Sequence, residues 1–185
     1  MELNTLYNRN TQPKFWEENK ESHSLNCGSF ALGVDTWFCP YIEDDDELED
    51  SLWMYSGTER RNWIEELVYE GHELEDIMVD VIDRDFEFIL KTCPWLEPID
   101  VEDITDKDRV IAYRLSMEIP ECRDEFDCDE YMDFHFRVLL DGEWWEKNGG
   151  APVHYVCDYI DEEPWVVEDW IVYSGPIRYA RFKTI

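Results

Sequence analysis

Asp141-Gly142 sits between two β-prone runs, Phe134-His135-Phe136-Arg137-Val138-Leu139-Leu140 and Glu143-Trp144-Trp145-Glu146-Lys147. Few dipeptides constrain a chain more. In this setting Asp-Gly favours a two-residue type I′ turn, whose central residues need positive φ and whose twist matches that of the strands. Such a turn also sets the register. Leu140 pairs with Glu143, Leu139 with Trp144, Val138 with Trp145, Arg137 with Glu146, Phe136 with Lys147 and His135 with Asn148. Cross-strand partners share a face, with Cβ atoms roughly 4.5–5.5 Å apart. His135 is therefore expected to have Asn148 beside it, with Glu146 and Arg137 on the same face one step further in. A bulge at the turn would put Lys147 or Gly149 there instead.

The chain before this hairpin has a different period. In residues 58–91, Thr58 and Arg61 accompany Trp63, Ile64, Leu67 and Val68 in one predicted helix, which breaks at Gly71. Leu74, Ile77, Met78, Val81, Ile82, Phe86 and Ile89 then continue at helical spacing, and Pro94 and Pro98 close the helical half. From residue 109 the pattern turns to strands, beginning with residues 110–117. Residues 153–159 and 165–173 read as further strands or mixed edges. Helices first and antiparallel strands later predict a single α+β domain over residues 1–185. Its expected parts are an N-terminal strap (1–22, anchored by Phe15 and Trp16), a helical half (26–91) and an antiparallel strand half (109–185).

The stretch Asn26-Cys27-Gly28-Ser29-Phe30-Ala31-Leu32 combines a helix start with a thiol. Asn is a preferred N-cap, since its side-chain oxygen accepts a backbone N–H that the first turn leaves unpaired. The helix is predicted over 26–38, with Pro40 helping to end it. Cys27 in the first turn lies where free N–H groups and the helix dipole favour a thiolate. A nucleophilic cysteine needs a base, and a base needs an orienting group that fixes its tautomer. His135 with Asn148 or Glu146 meets that description. His23 and His154 are further candidate bases, the first too close in sequence to sit easily across a cleft, the second past the Gly-Pro break. The bland alternative for Cys27 is a small buried hydrophobe.

Composition narrows the functions. The 185 residues are 44% hydrophobic with nine Trp, ten Tyr and nine Phe, enough apolar material for a real core. The formal net charge is -30, which disfavours nucleic acid and anionic membranes as direct partners and favours basic proteins or cations. It also suits a protein that imitates the phosphate charge of a nucleic acid. No apolar run is long enough to span a membrane, and the first residues lack the basic start and apolar stretch of a signal peptide, so a cytoplasmic location is expected. The cysteines at 27, 39, 93, 122, 128 and 157 form no C-x-x-C pair and are expected to be free thiols. No metal or cofactor is expected. His72-Glu73 has Asp76 where a zinc-protease helix needs its second His, and residues 43–50, EDDDELED, lack the central Gly of an EF-hand. That run, seven acidic residues in eight, reads as a solvated loop, a cation site or part of a phosphate-like surface. The last eight residues, RYARFKTI, carry three basic and no acidic residues, so the charge is uneven.

The Asn26 to Leu32 stretch resembles the nucleophile motif of papain-like cysteine hydrolases, especially the NlpC-type and CHAP-like amidases. Asp133-Phe134-His135-Phe136-Arg137, Asp141-Gly142-x-Trp144 and Lys147-x-Gly149-x-x-Pro152-Val153 resemble a motif in uncharacterised bacterial and phage proteins of that sort. Those proteins carry His where this chain has Glu146 and Pro where it has Asn148, which leaves the third site residue open between Asn148, Glu146 and none. The resemblance implies an α+β fold with N-terminal helices, the nucleophile helix first, packed on a C-terminal antiparallel sheet. It implies a peptidase or amidase in which Cys27 attacks, His135 moves the proton, Asn148 or Glu146 orients His135, and the helix start at Asn26-Cys27 holds the oxyanion. The charge motivates a second expectation: an acidic interaction protein, phage-encoded and acting in the host cytoplasm, that binds a basic nucleic-acid-processing protein as a DNA mimic or inhibitor.

Overall fold

A computed structural model describes residues 12–35, 37–38, 40, 66–116, 133–160, 163–167 and 171–183. The Asp-Gly turn forms as its chemistry requires, with φ of 53° at Asp141 and 84° at Gly142. It joins β3 (Phe134–Leu140) to β4 (Glu143–Lys147), paired from Leu140↔Glu143 to Arg137↔Glu146. The ladder stops there, two steps short of the expected His135–Asn148 pair.

Around this hairpin runs a six-stranded antiparallel sheet in the order β1-β8-β2-β3-β4-β5. The remaining strands are β1 (Leu96–Pro98), β2 (Val110–Leu115), β5 (Val153–Cys157) and β8 (Arg178–Phe182). The strands expected within 165–173 are present but stand apart from the main sheet, and one stretch takes an unexpected role. Strands β6 (Trp165–Val167) and β7 (Ile171–Tyr173) pair with each other as a separate antiparallel hairpin. The Pro94–Pro98 stretch, expected only to close the helices, supplies β1 at the sheet edge, where a proline's missing N–H costs no ladder bond.

Both faces of the sheet are covered, so β2 is buried at every position and shows no polar alternation. On one face Ile111, Tyr113, Leu115, Phe134, Phe136 and Val138 pack against three helices. These are α1 (Gln12–Asn19), α2 (Cys27–Leu32) and α3 (Leu74–Thr92). On the other face Val110, Ala112, Leu139 and Trp144 pack with Trp165, Val167 and Tyr173 of the small hairpin. Helix α3 forms for the expected reason, an apolar stripe of Ile77, Met78, Val81, Ile82, Phe86 and Ile89 facing the core. Glu75 and Asp76 in its first turn and Lys91 in its last complement the helix dipole. The preceding break falls at Gly71, φ 94°, while residues 58–65 and the acidic run 43–50 lie outside the described residues.

Helix α2 is shorter than the expected 26–38. It stops at Leu32 because Gly33 adopts the left-handed conformation (φ 70°, ψ 35°) and its N–H turns back to the Phe30 carbonyl. Six residues suffice because α2 is wholly buried. Its fit on the sheet is set by Gly28. A Cβ at that position would lie 3.0 Å from Phe38 Cδ1 and 3.2 Å from Phe136 Cε2. Gly28→Ala is therefore expected to destabilise by about 1–3 kcal/mol through overpacking, despite alanine's better helix propensity. Chemical denaturation of the two proteins checks this, and an unchanged or raised midpoint would show that α2 has room to shift.

Candidate functional site

Asn26 anchors the thiol's helix. Its Oδ1 accepts from Ser29 N (2.9 Å) and Ser29 Oγ (2.6 Å), and its Nδ2 donates to the Phe38 carbonyl at 2.7 Å. Cap and following loop are thereby held by one buried side chain. Cys27 begins the helix, and its sulfur lies 3.8 Å from the carbonyl oxygen of Phe134, the first residue of β3 and the neighbour of His135. The helix start and the strand start thus meet at one end of the sheet.

His135 points from β3 to the opposite face from Phe134 and Phe136. Its ring stacks on Tyr173, with centroids 5.0 Å apart, and meets Trp165 edge to face at 6.3 Å. Its Nε2 lies 3.3 Å from Glu146 Oε2. Among the described residues His135 makes no hydrogen bond to Cys27. Of the two orienting groups considered, Glu146 is the one in contact with His135. Asn148 lies beyond the end of β4, where its carbonyl accepts the Ala151 N–H at 2.7 Å.

Glu146 is the centre of a buried polar cluster. Its Oε2 accepts from Arg137 Nε at 2.7 Å as well as from His135, and its Oε1 lies 2.8 Å from His154 Nε2. Burial pushes its pKa up, but the hydrogen bond and charge of His135 and the charge and hydrogen bond of Arg137 outweigh burial and hold it at about 2, against an ordinary 4.5. The carboxylate is ionised, so each ring nitrogen facing it must carry a proton. In the neutral ring that contact places the proton on Nε2 and leaves Nδ1 as the basic atom.

Sequence reasoning did not find Tyr173 or Lys147. Tyr173 donates to Asp133 Oδ2 at 2.5 Å, and burial, with the charge of Asp133 next, raises its pKa far above the ordinary phenol range. It serves as a neutral wall for His135. Lys147 is fully buried and donates to the carbonyls of Ser22 (2.5 Å) and Ala151. Burial lowers its pKa, and Cys27 and Glu21 oppose that shift. A long basic side chain at a strand end carries no sequence signal for this bridging role. Tyr173 shares a short apolar run with Val172, so its hydroxyl partner was equally invisible.

A cleft of about 940 Å³ opens elsewhere on the same sheet face, lined in part by Arg114, Ser174, Gly175 and Tyr179. Arg114 is the cross-strand partner of His135, but neither His135 nor Cys27 lines the cleft. Among the described residues no group of three or more His, Cys, Asp or Glu is arranged to hold a metal, and no helix is long and apolar enough to cross a membrane. Cys39, Cys122 and Cys128 lie outside the described residues. No family model, curated protein or solved structure matches the chain significantly.

Proposed function

We propose that this chain is a papain-like cysteine hydrolase of the NlpC type, acting on a peptide or amide bond. The observation that carries the reading is the bond between Glu146 and Nε2 of His135, which leaves Nδ1 to serve a thiol. Support also comes from the order of parts: a capped helix headed by Cys27, then an antiparallel sheet with His135 on one strand and its orienting carboxylate on the next. In the reaction, the Cys27 side chain turns from the Phe134 carbonyl toward His135 and gives its proton to Nδ1. The thiolate attacks the substrate carbonyl, and the backbone N–H of Cys27 holds the oxyanion. His135 returns the proton to the leaving amine, and a water deprotonated by His135 then hydrolyses the thioester. Glu146 keeps the ring in place and stabilises the imidazolium.

The test is the rate at which each of the six cysteines reacts with a small alkylating reagent, mapped by mass spectrometry. Cys27 is expected to react fastest, and His135→Ala to remove its advantage. Cys93 is the internal control, since it is fully buried and burial pushes its thiol up to about 12. A Cys27 rate as slow as that of Cys93 would sink the hydrolase reading.

A second reading keeps the fold and drops the chemistry. The outer face of α3 exposes Glu75, Asp76, Asp80, Asp83 and Glu87, in a chain of net charge -30. This reading makes the protein an acidic decoy for a basic nucleic-acid-processing partner. Electrostatic attraction of that kind weakens steeply with salt. Direct titration against DNA-binding proteins at low and high ionic strength distinguishes it, and binding that ignores salt would count against it.

A further inference from the structure

The buried carboxylate of Glu146 has two oxygens and three neighbours, and one neighbour stands at the surface. His154 on β5 is the cross-strand partner of Glu146. Its side chain is 52% exposed, against 5% for Glu146. On the far side, Arg137 is fixed by stacking over the Trp165 ring, 4.2 Å from its centroid, and grips Oε2 at 2.7 Å. The contact from His135 to the same oxygen is the longest of the three at 3.3 Å, and so has the least to spare if the carboxylate tilts. Arg137 alone gives the carboxylate one pivot. The bond from His154 to Oε1, 2.8 Å, gives it a second and removes its freedom to swing about the first.

We infer that His154 is a positioning residue: from the surface it locks the plane of Glu146, and through Glu146 it holds the ring of His135 in the orientation that presents Nδ1. This inference rests on the hydrolase reading for its consequence in chemistry, but its geometry can be tested apart from that reading. His154 itself touches neither thiol nor substrate. Its Nε2 must donate to the ionised carboxylate, which turns its own Nδ1 outward.

The experiment uses the full chain with His154→Phe, which removes the donor, and His154→Gln, which returns an N–H near the position of Nε2. Two quantities are read: the ring N–H signal of His135 in ¹⁵N-edited NMR spectra, and the alkylation rate of Cys27. With His154→Phe the His135 signal is expected to broaden away and the Cys27 rate to fall about tenfold, the scale on which small misplacements act. With His154→Gln both are expected to return to near wild type. Thermal melting confirms that each variant is folded, and His154→Thr, too short to reach Glu146, repeats the test without an exposed aromatic ring. An unchanged His135 signal in folded His154→Phe and His154→Thr would overturn the inference, since Arg137 alone would then hold the carboxylate. Loss of the signal in a protein whose Cys27 never reacts preferentially would uphold the positioning role and sink the hydrolase reading instead.

Discussion

Glu146→Ala is expected to destabilise the protein by about 3–5 kcal/mol at neutral pH, because it strands the buried Arg137 charge without its partner. The carboxylate also links stability to pH. Its folded pKa of about 2 lies below the ordinary 4.5. A carboxylate depressed on folding contributes stability that is complete above its unfolded pKa and is lost as pH falls through the folded one. At 1.36 kcal/mol per unit, the contribution lost between those two values is about 3 kcal/mol. The rest of the chain pulls the other way, since acid relieves part of the repulsion within a protein of net charge -30. The informative quantity is therefore the difference between wild type and Glu146→Ala in urea unfolding at a series of pH values. That difference is expected to shrink as pH drops from 4.5 toward 2. A gap that stays constant over this range would mean that Glu146 is not the ionised hub of the cluster.

Trp16→Ala is expected to cost about 3–5 kcal/mol, the usual range for removing a buried tryptophan. Only 3% of Trp16 is exposed. Its ring meets Phe182 of β8 edge to face at 5.7 Å, and the Arg109 guanidinium lies 5.3 Å from its centroid. Its Nε1 donates to the Phe30 carbonyl on α2 at 2.7 Å. One side chain thus ties α1 to α2 and to β8, the strand next to the sheet edge. Phe15, half-buried beside it, is expected to cost distinctly less on truncation. Melting temperatures of the two alanine variants check the ranking, and equal losses would show that α1 is held by its whole length rather than by Trp16.

Trp16 was legible as an anchor because a large aromatic in a polar stretch has few other uses. The β3–β4 register was legible because Asp141-Gly142 encodes it locally. The α2 start was legible for the same kind of reason, since Asn26 and the turn it caps are neighbours in sequence. The count along the hairpin failed only at its far end. It assumed that pairing continues to Asn148, whereas β4 ends at Lys147 and the longer side chain of Glu146 reaches diagonally to His135. The end of α2 differs from the expectation because Gly33 stops it about two turns before Pro40 becomes relevant. Pairings between distant segments left no local trace. Nothing in Leu96-Glu97-Pro98 or in Arg178–Phe182 announces that they pair with each other. The small β6–β7 hairpin, whose Tyr173 walls the site, also depends on packing that only the assembled sheet provides.

The place of β8 between β1 and β2 has a consequence for how the molecule assembles. Strands β2 to β5 form a meander, each pairing with its sequence neighbour. The partners of β8 are more than sixty residues away in sequence on both sides. Closing such long loops is slow relative to hairpin formation, and a strand edge waiting for its partner invites pairing with other chains. While β8 is absent, β2 offers such an edge, built from the apolar run Val110-Ile111-Ala112-Tyr113. During that interval the surplus of negative charge gives the unfinished sheet a defence, because two half-folded copies repel before their edges can meet.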